Sequence, residues 1–156
     1  MSSFKRSILS EDKQGPVAEA LQKSLYNLID LALVGKQAHW NVLGRNFLSV
    51  HEQLDLIIES ARMGSDEVAE RIVTIGIAPD GRVKTIAGHS ELAEYASGFQ
   101  TVDSTITSVS DALATTIAGL RSGIEVVGDL DPISEDLLIG ISSSLEKHLW
   151  MLQAQE

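Results

Sequence analysis

Apolar residues recur every three to four positions through four long stretches of the chain, which is the spacing of one face of an α-helix. The first stretch runs from Val17 to about Val42, and the second from Phe47 to about Ile77. The third runs from about Phe99 to Val127, and the fourth from Pro132 almost to the C-terminus. The pattern therefore predicts four long amphipathic helices.

Glycine, asparagine and proline mark the breaks between these helices. Gly44 and Asn46 separate the first two helices, and residues 128–132 separate the last two. Both connections are short, so the helices of each pair are expected to be antiparallel neighbours. The middle connection, residues 78–98, is long enough to span a bundle, which favours the ferritin-like connectivity with one long crossover. We expect a short extra helix within it, at Ser90–Ala96.

We therefore predict an all-α fold, a ferritin-like four-helix bundle over residues 17–156 that follows a short N-terminal tail of residues 1–16. At 156 residues the chain fits one domain, and without cysteine it can form neither disulfides nor thiolate metal sites. Its formal net charge of −10 argues against mainly electrostatic binding to nucleic acid and favours attraction of cations. No apolar run approaches the length of ~20 residues that a membrane span needs, and no secretory signal is visible. We expect a cytoplasmic protein with no membrane partner.

The second helix carries two pairs of side chains that are able to bind a divalent metal ion. His51 and Asp55 are four residues apart, as are Asp66 and Glu70, so the members of each pair lie one turn apart on one helix face. At about 100° per residue, all four positions fall on a single stripe. Mixed nitrogen and oxygen ligands of this kind suit iron, zinc or manganese. His39 lies near the apolar face of the first helix and is expected to reach the same seam.

The two pairs are too far apart to close around one ion within one chain. Asp55 and Asp66 are separated by 11 residues, which is about 16 Å along a helix. If the second helix packed antiparallel against its copy about a two-fold axis, the His51–Asp55 pair of one chain would meet the Asp66–Glu70 pair of the other. The site would then form twice per dimer. Acidic pairs one turn apart are more often solvated surface, so the residues alone leave both interpretations open.

Three segments of the sequence resemble the Dps family, the mini-ferritins. HWNVLGRNF at residues 39–47 resembles the family's HWN-x-x-G-x-x-F motif, and His51 and Asp55 follow at the family's spacing. DEVAERI at residues 66–72 resembles its D-E-x-A-E-R motif, and EKHLW at residues 146–150 resembles its final-helix segment. The resemblance covers nearly the whole chain.

The resemblance implies a four-helix subunit of a hollow homododecamer, with ferroxidase sites between two-fold-related chains. Each site would hold two iron ions and oxidise Fe(II), with hydrogen peroxide preferred to dioxygen, and the shell would store Fe(III) as mineral. Trp40, next to His39, is a candidate catalytic residue that absorbs stray oxidising equivalents, with core packing as the alternative. The implied metal ligands are His39, His51 and Asp55 of one chain and Asp66 and Glu70 of the other.

Acidic residues cluster at the start of the fourth helix, a region that lines pores on three-fold axes in the family. The resemblance therefore implies pores for iron uptake here, and we favour Asp131 and Asp136 as their lining. A ring of carboxylates concentrates cations at a channel mouth. Capping of the helix N-terminus is an equally good interpretation of Asp131.

Three other functions compete with this interpretation. A larger ferritin or bacterioferritin would use Glu-x-x-His motifs, and the sequence contains none. A zinc hydrolase on the same ligands would work without peroxide. The main alternative is a nucleoid-binding protective protein, because the family takes its name from DNA binding. Residues 1–16 have a net charge of only +1, and twelve chains at −10 each would carry −120, so we expect weak or no DNA binding at physiological salt.

Overall fold

A computed structural model describes residues 4–156 and shows a bundle of four long helices, which confirms the predicted all-α architecture. In this part of the chain, no helix combines the length and the apolar character needed to cross a lipid bilayer. The elements in chain order are α1 (Glu11–Asn41), β1 (Val42–Leu43), α2 (Phe47–Thr74), α3 (Val83–His89), β2 (Gln100–Thr101), α4 (Val102–Val127) and α5 (Pro132–Gln153).

The four long helices pack as a ring around one apolar core. Helix α1 lies beside α2 and α4, and α5 lies beside α4 and α2. The loops at residues 42–46 and 128–131 are short, so α1 and α2, and α4 and α5, are antiparallel neighbours as predicted. Burying a leucine fully is worth about 1.5 to 3 kcal/mol. Each long helix contributes such side chains, for example Leu28, Leu54, Leu113 and Leu145, all with no exposed surface.

The long crossover returns the chain to the end of the bundle at which α2 begins. Its last two residues form β2, which pairs in parallel with β1 so that Val42 faces Gln100. Because α2 follows β1 and α4 follows β2, the two helices start at the same end of the bundle, as one long crossover requires. The hydroxyl of Thr101 accepts a hydrogen bond of 3.2 Å from the backbone N–H of Ser104 and caps the start of α4.

The first helix begins earlier than the apolar pattern predicts. It starts at Glu11 rather than Val17, and Pro16 lies inside it. A proline near a helix N-terminus removes only one intrahelical hydrogen bond, and acidic side chains in the first turn, Glu11 and Asp12, favour a helix start through the helix dipole. The tail that precedes α1 is therefore shorter than the predicted residues 1–16, because it ends at Ser10, and its residues 1–3 lie outside the described part of the chain.

The extra helix of the crossover lies at Val83–His89, so the prediction of Ser90–Ala96 is wrong. The carboxylate of Asp80 accepts hydrogen bonds from the backbone N–H of Arg82 and from the hydroxyl of Thr85, each 3.0 Å long. These bonds stabilise the N-terminal turn of α3. The apolar pattern of residues 90–96 covers only about two turns, which is too few to place a helix, and the helix lies just before this segment.

The segment that follows α3 runs along α1 and is not helical. Side chains of α1 form hydrogen bonds with it. The backbone N–H of Glu91 donates to Oδ1 of Asn27 (3.0 Å). The hydroxyl of Ser90 donates to the carboxylate of Asp30. These bonds satisfy polar groups of the segment outside any helix.

Gly35 lets α1 and α2 approach closely next to the predicted site. A Cβ atom at this position would lie only 2.7 Å from Cγ1 of Ile58. The close crossing lies one turn before His39, which is why this histidine meets α2. In the loop that follows, Gly44 and Asn46 have φ angles of 130° and 63°, and this left-handed backbone reverses the chain within a few residues.

Candidate metal site

His39, His51 and Asp55 come together where the end of α1 meets the beginning of α2. The imidazole rings of His39 and His51 stack with their centroids 3.6 Å apart and their planes at 20°. Nδ1 of His39 lies 3.4 Å from Oδ1 of Asp55. The structure thus brings together the three residues assigned to one half of the site, and their role as ligands stays a prediction.

Reciprocal hydrogen bonds orient the two imidazoles. Nδ1 of His39 lies 2.9 Å from the backbone oxygen of His51, and Nδ1 of His51 lies 2.8 Å from the backbone oxygen of His39. A carbonyl oxygen only accepts hydrogen bonds, so each Nδ1 carries the proton and donates. In the neutral ring each Nε2 then keeps its lone pair. Metal-binding histidines are commonly held in this way, with the other ring nitrogen bonded to a carbonyl group.

His39, His51 and Asp55, which we call the half-site, are packed against the protein on one side and exposed on the other. The side chain of His39 is only 9% exposed, whereas that of Asp55 is 52% exposed. The ring of Phe47 packs against His51 with centroids 4.9 Å apart. The nitrogen donors are therefore fixed by packing, while the carboxylate faces outward.

Asp66 and Glu70 are exposed and lie farther along α2, on the outward stripe that also carries Asp55. The helix is continuous from Phe47 to Thr74, so the separation of about 16 Å between Asp55 and Asp66 stands. Within residues 4–156 of this chain, no three His, Asp or Glu side chains are grouped closely enough to hold a metal ion, so His39, His51 and Asp55 do not form a complete site by themselves. One chain therefore presents two separated sets of donors.

Lys36 also contacts the half-site formed by His39, His51 and Asp55, and the sequence did not predict this contact. Its Nζ donates to Oδ1 of Asp55 at 2.7 Å. This hydrogen bond, together with the positive charge of Lys36, holds the pKa of the Asp55 carboxyl below its usual value, so the group stays ionised at neutral pH. Lys36 lies three residues before His39, one turn earlier on α1, and that spacing was the available signal in the sequence.

Trp40 is exposed on the outside of the chain, so the alternative that it packs in the core is wrong. Its side chain is 67% exposed. With Leu33, Lys36 and Arg62 it lines a groove of about 720 Å³ between α1, α2 and the crossover. The indole therefore lines the same groove as Lys36, which donates a hydrogen bond to Asp55.

Large apolar side chains are exposed on both α1 and α2. Exposed apolar groups of this size are candidates for burial in a contact with another chain. Glu59 and Arg62 are exposed on the same stripe of α2, and neither forms an ion pair with another described residue. The apolar side chains are Leu33, Trp40, Leu56 and Met63, each more than half exposed.

Asp131 is buried in an ion pair with Arg71, so its carboxylate is not available to line the predicted pore. It is 3% exposed, and Oδ2 of its carboxylate accepts from Nη2 of Arg71 at 2.6 Å and from the hydroxyl of Ser134. Burial alone raises the pKa of the Asp131 carboxyl, but the bonds from Ser134 and Arg71 and the arginine charge outweigh it and the pKa is lowered. The network joins the end of α2 to the beginning of α5.

Asp136 remains exposed one turn farther along α5. It lines a groove of about 700 Å³ between α2 and α5, which is also lined by Glu67 and Glu70. The groove thus places the remaining pore candidate on the same surface as a candidate ligand.

Comparison with known proteins gives consistent matches over nearly the whole chain. Residues 18–155 match the ferritin-like domain family. The DNA protection during starvation protein of Mycolicibacterium smegmatis is 40% identical over 154 residues, which cover 99% of this chain and 84% of that protein. The fine tangled pili major subunit of Haemophilus ducreyi is 41% identical over 138 residues, which cover 88% of this chain and 73% of that protein.

Solved structures show the same similarity in three dimensions. Dps of Mycobacterium smegmatis in its tetragonal form has a TM-score of 0.93 and 39% identity, covering 99% of this chain and 94% of that chain. Dps of Microbacterium arborescens in its high iron form has a TM-score of 0.91 and 31% identity, covering 96% of this chain and 98% of that chain.

Proposed function

The chain belongs to the Dps family of ferritin-like proteins, and from this premise we propose that it is an iron-storage ferroxidase. Family membership supports iron storage and DNA protection as the general role. The specific proposal is a hollow cytoplasmic homododecamer that oxidises Fe(II), preferentially with hydrogen peroxide, at di-iron sites shared between two-fold-related chains. Fe(III) would be stored inside as mineral.

The observation that carries the proposal is the pair of oriented histidines beside an ionised carboxylate. Because both Nδ1 atoms donate to backbone oxygens, the neutral form of each ring carries its lone pair on Nε2, where a metal ion binds. The Asp55 carboxyl is ionised and half-exposed. Two neutral imidazoles and a carboxylate suit Fe(II) and leave coordination positions for an oxidant.

A second chain would complete the site. The Asp66–Glu70 pair is exposed and about 16 Å from Asp55 along α2, so an antiparallel α2 of a partner would bring its own acidic pair to the histidines. The exposed apolar side chains of Leu33, Trp40, Leu56 and Met63 would give such a contact apolar area to bury. Glu59 and Arg62, unpaired among the described residues of one chain, would form opposite-charge pairs across the axis.

The proposed chemistry is the two-electron reduction of peroxide by two adjacent iron ions. Two Fe(II), one hydrogen peroxide and two protons give two Fe(III) and two water molecules. Pairing the electrons in this way avoids release of hydroxyl radical. The anionic oxygens of Asp55, Asp66 and Glu70 would stabilise Fe(III) more than Fe(II), which favours the oxidation. Trp40, exposed beside Lys36, would absorb oxidising equivalents that escape the site.

The experiment that tests the function is anaerobic loading of the assembled protein with Fe(II), followed by hydrogen peroxide. We expect about one peroxide consumed per two Fe(II), and iron that elutes with a particle of twelve chains in a sizing experiment. Peroxide consumption no faster than in buffer, or iron that does not elute with the protein, would contradict the proposal.

DNA protection is the second candidate, because the M. smegmatis relative carries that name. Exposed basic residues Lys5 and Arg6 precede α1, but the chain carries −10 overall. We expect no shift of duplex DNA in a gel at physiological salt and at most a weak shift at low salt, where repeated tails add avidity. A stable complex at physiological salt would make DNA binding the main role.

Iron uptake should depend on Asp136. The change Asp136→Asn removes an exposed charge from the groove that Glu70 also lines, so Fe(II) uptake at low salt should slow while the assembled size stays the same. Asp111→Asn removes a charge from α4 that is also exposed, and it serves as the matched control. Equal uptake rates in the two variants and the unmodified protein would exclude Asp136 from the path of iron.

A further inference from the structure

Polar side chains join α2 to α5 at two places, and the groove of about 700 Å³ lies between them. At one end of the groove, Arg71 of α2 forms its buried ion pair with Asp131, just before α5. At the other end, Oγ of Ser60 on α2 lies 2.9 Å from Nε2 of His148 on α5. We propose that this second contact, which we call the latch, is acid-sensitive and opens when His148 is protonated.

The two ring nitrogens of His148 have different surroundings. Nε2 faces the hydroxyl of Ser60, which both donates and accepts hydrogen bonds and therefore suits either protonation state of the ring. Nδ1 is buried and has no hydrogen-bond partner among the described residues. The neutral ring is able to keep its only proton on Nε2. The protonated ring must also carry an N–H on Nδ1, and a buried donor without an acceptor is most costly when its group is charged.

No carboxylate in the described part of the chain forms an ion pair with His148. Burial of the ring, and then the positive charge of Lys147 next to it, lower the pKa of the imidazole below its usual value. On α4, Arg121 is already paired with Glu146 of α5. The acids of α2 and α5 that line the groove begin seven residues from the latch, at Glu67, which is about 10 Å along the helix from Ser60.

The groove gives water a short path to the latch once the helices separate. Ser60 lines the groove, and so does Ser144, which lies one turn before His148 on α5. A small separation of α2 and α5 at this end would therefore hydrate Nδ1 and its proton. Arg71 and Asp131 both keep their charges in mild acid, since the pKa of the Asp131 carboxyl is lowered. The contact between the helices should thus open at the latch and stay closed at the ion pair.

The first test is the pH dependence of stability in the iron-free assembled protein. The matched variant is His148→Gln, whose amide is able to bond to Ser60 but takes up no proton. The unfolded chain protonates His148 near the ordinary pKa of about 6.5, whereas the folded chain resists it, so stability is retained above this pH and lost below it. Relative to the variant, the unfolding constant of the unmodified protein should rise by up to about tenfold per pH unit.

The control for this measurement is His89→Gln. His89 is exposed, and its Nδ1 lies 2.9 Å from the backbone oxygen of Thr85, so its ring is able to take up a proton without leaving a buried N–H unpaired. Its removal should leave the pH dependence of the unmodified protein in place. If His148→Gln does not assemble, His148→Phe, which keeps a ring without an ionisable group, takes its place.

The second test is hydrogen exchange of backbone amides, which a merely structural histidine would not make pH-dependent beyond the intrinsic rate. On lowering the pH from about 7.5 to about 5.5, corrected exchange should accelerate around Ser60 and His148 and stay unaltered near Arg71 and in α1. His148→Gln should show no such local acceleration. Equal pH dependence of stability in the unmodified protein and the variant, or acceleration spread evenly over the four long helices, would overturn the inference. Neither measurement contains iron, so the proposed function stands or falls separately.

Discussion

Replacing Arg71 by methionine is expected to lower the free energy of unfolding by about 3 to 5 kcal/mol at neutral pH, the usual effect of leaving one partner of a buried ion pair alone. Arg71 and Asp131 expose only 9% and 5% of their side chains, and their charged groups lie 2.6 Å apart. Methionine fills much of the same space but leaves the Asp131 carboxylate buried beside Ser134 without a cation. Denaturant unfolding at matched protein concentration measures the loss.

The matched control for Arg71→Met is Arg121→Met. Arg121 also pairs with a carboxylate, that of Glu146, at 2.7 Å, but its side chain is 64% exposed. Surface pairs of this kind contribute about 0 to 1 kcal/mol. Similar losses in the two variants would show that the buried pair does not hold α2 to α5.

The effect of Arg71→Met should depend on pH with a definite sign. In the unmodified protein the folded-state pKa of Asp131 is lowered, so its contribution to stability is present above the ordinary Asp pKa of about 3.9 and is lost as the pH falls through the folded value. In the variant the buried, unpaired carboxyl should have a raised pKa and regain stability on protonation. The stability difference between the two proteins should therefore shrink in acid.

The substitutions His51→Ala and Asp66→Ala are each expected to slow peroxide-driven oxidation of Fe(II) by at least roughly tenfold, which is the loss typical even for groups one step removed from a metal. Each removes a donor from a different half of the proposed site. His51 is half-buried and Asp66 exposed, and neither belongs to the fully buried core, so helical circular dichroism should be retained. The measurement is the rate of Fe(III) appearance after anaerobic loading.

The control for these substitutions is Glu52→Ala, which removes an exposed acid of α2 next to His51 in sequence. It should leave the oxidation rate unaltered. Rates equal to that of the unmodified protein in both ligand variants would place the oxidation elsewhere.

The periodic apolar pattern was sufficient to predict the bundle and its connectivity. Helix length and the short loops at residues 42–46 and 128–131 depend on local residues such as Gly44 and Pro132, which a sequence displays directly. The start of α1 was mispredicted because the apolar pattern begins only at Val17, whereas acidic residues of the first turn start the helix at Glu11. The place of α3 was mispredicted because the segment after it is held by contacts between distant parts of the chain. The hydrogen bond from Glu91 to Asn27, for example, joins residues 64 positions apart.

The sequence predicts which candidate site residues lie close together when they share one helix. It does not predict contacts between side chains of different helices. His51 and Asp55 are separated by one helical turn, so their proximity follows from the sequence. The ammonium group of Lys36 on Asp55 and the guanidinium group of Arg71 on Asp131 depend on how α1, α2 and α5 pack. That packing places the ammonium group of Lys36 on Asp55 and buries Asp131 away from the predicted pore lining.

Sharing of the site between two chains is tested most directly by mixing His51→Ala and Asp66→Ala subunits in equal amounts and reassembling them. In a mixed dimer one site receives both changes, and the other takes its unmodified His51 and Asp66 from opposite chains. Random pairing makes half of the dimers mixed, so roughly one quarter of all sites should recover and oxidation should rise accordingly. Rates that stay at the level of the separate variants, in shells shown by mass spectrometry to be mixed, would contradict the shared site.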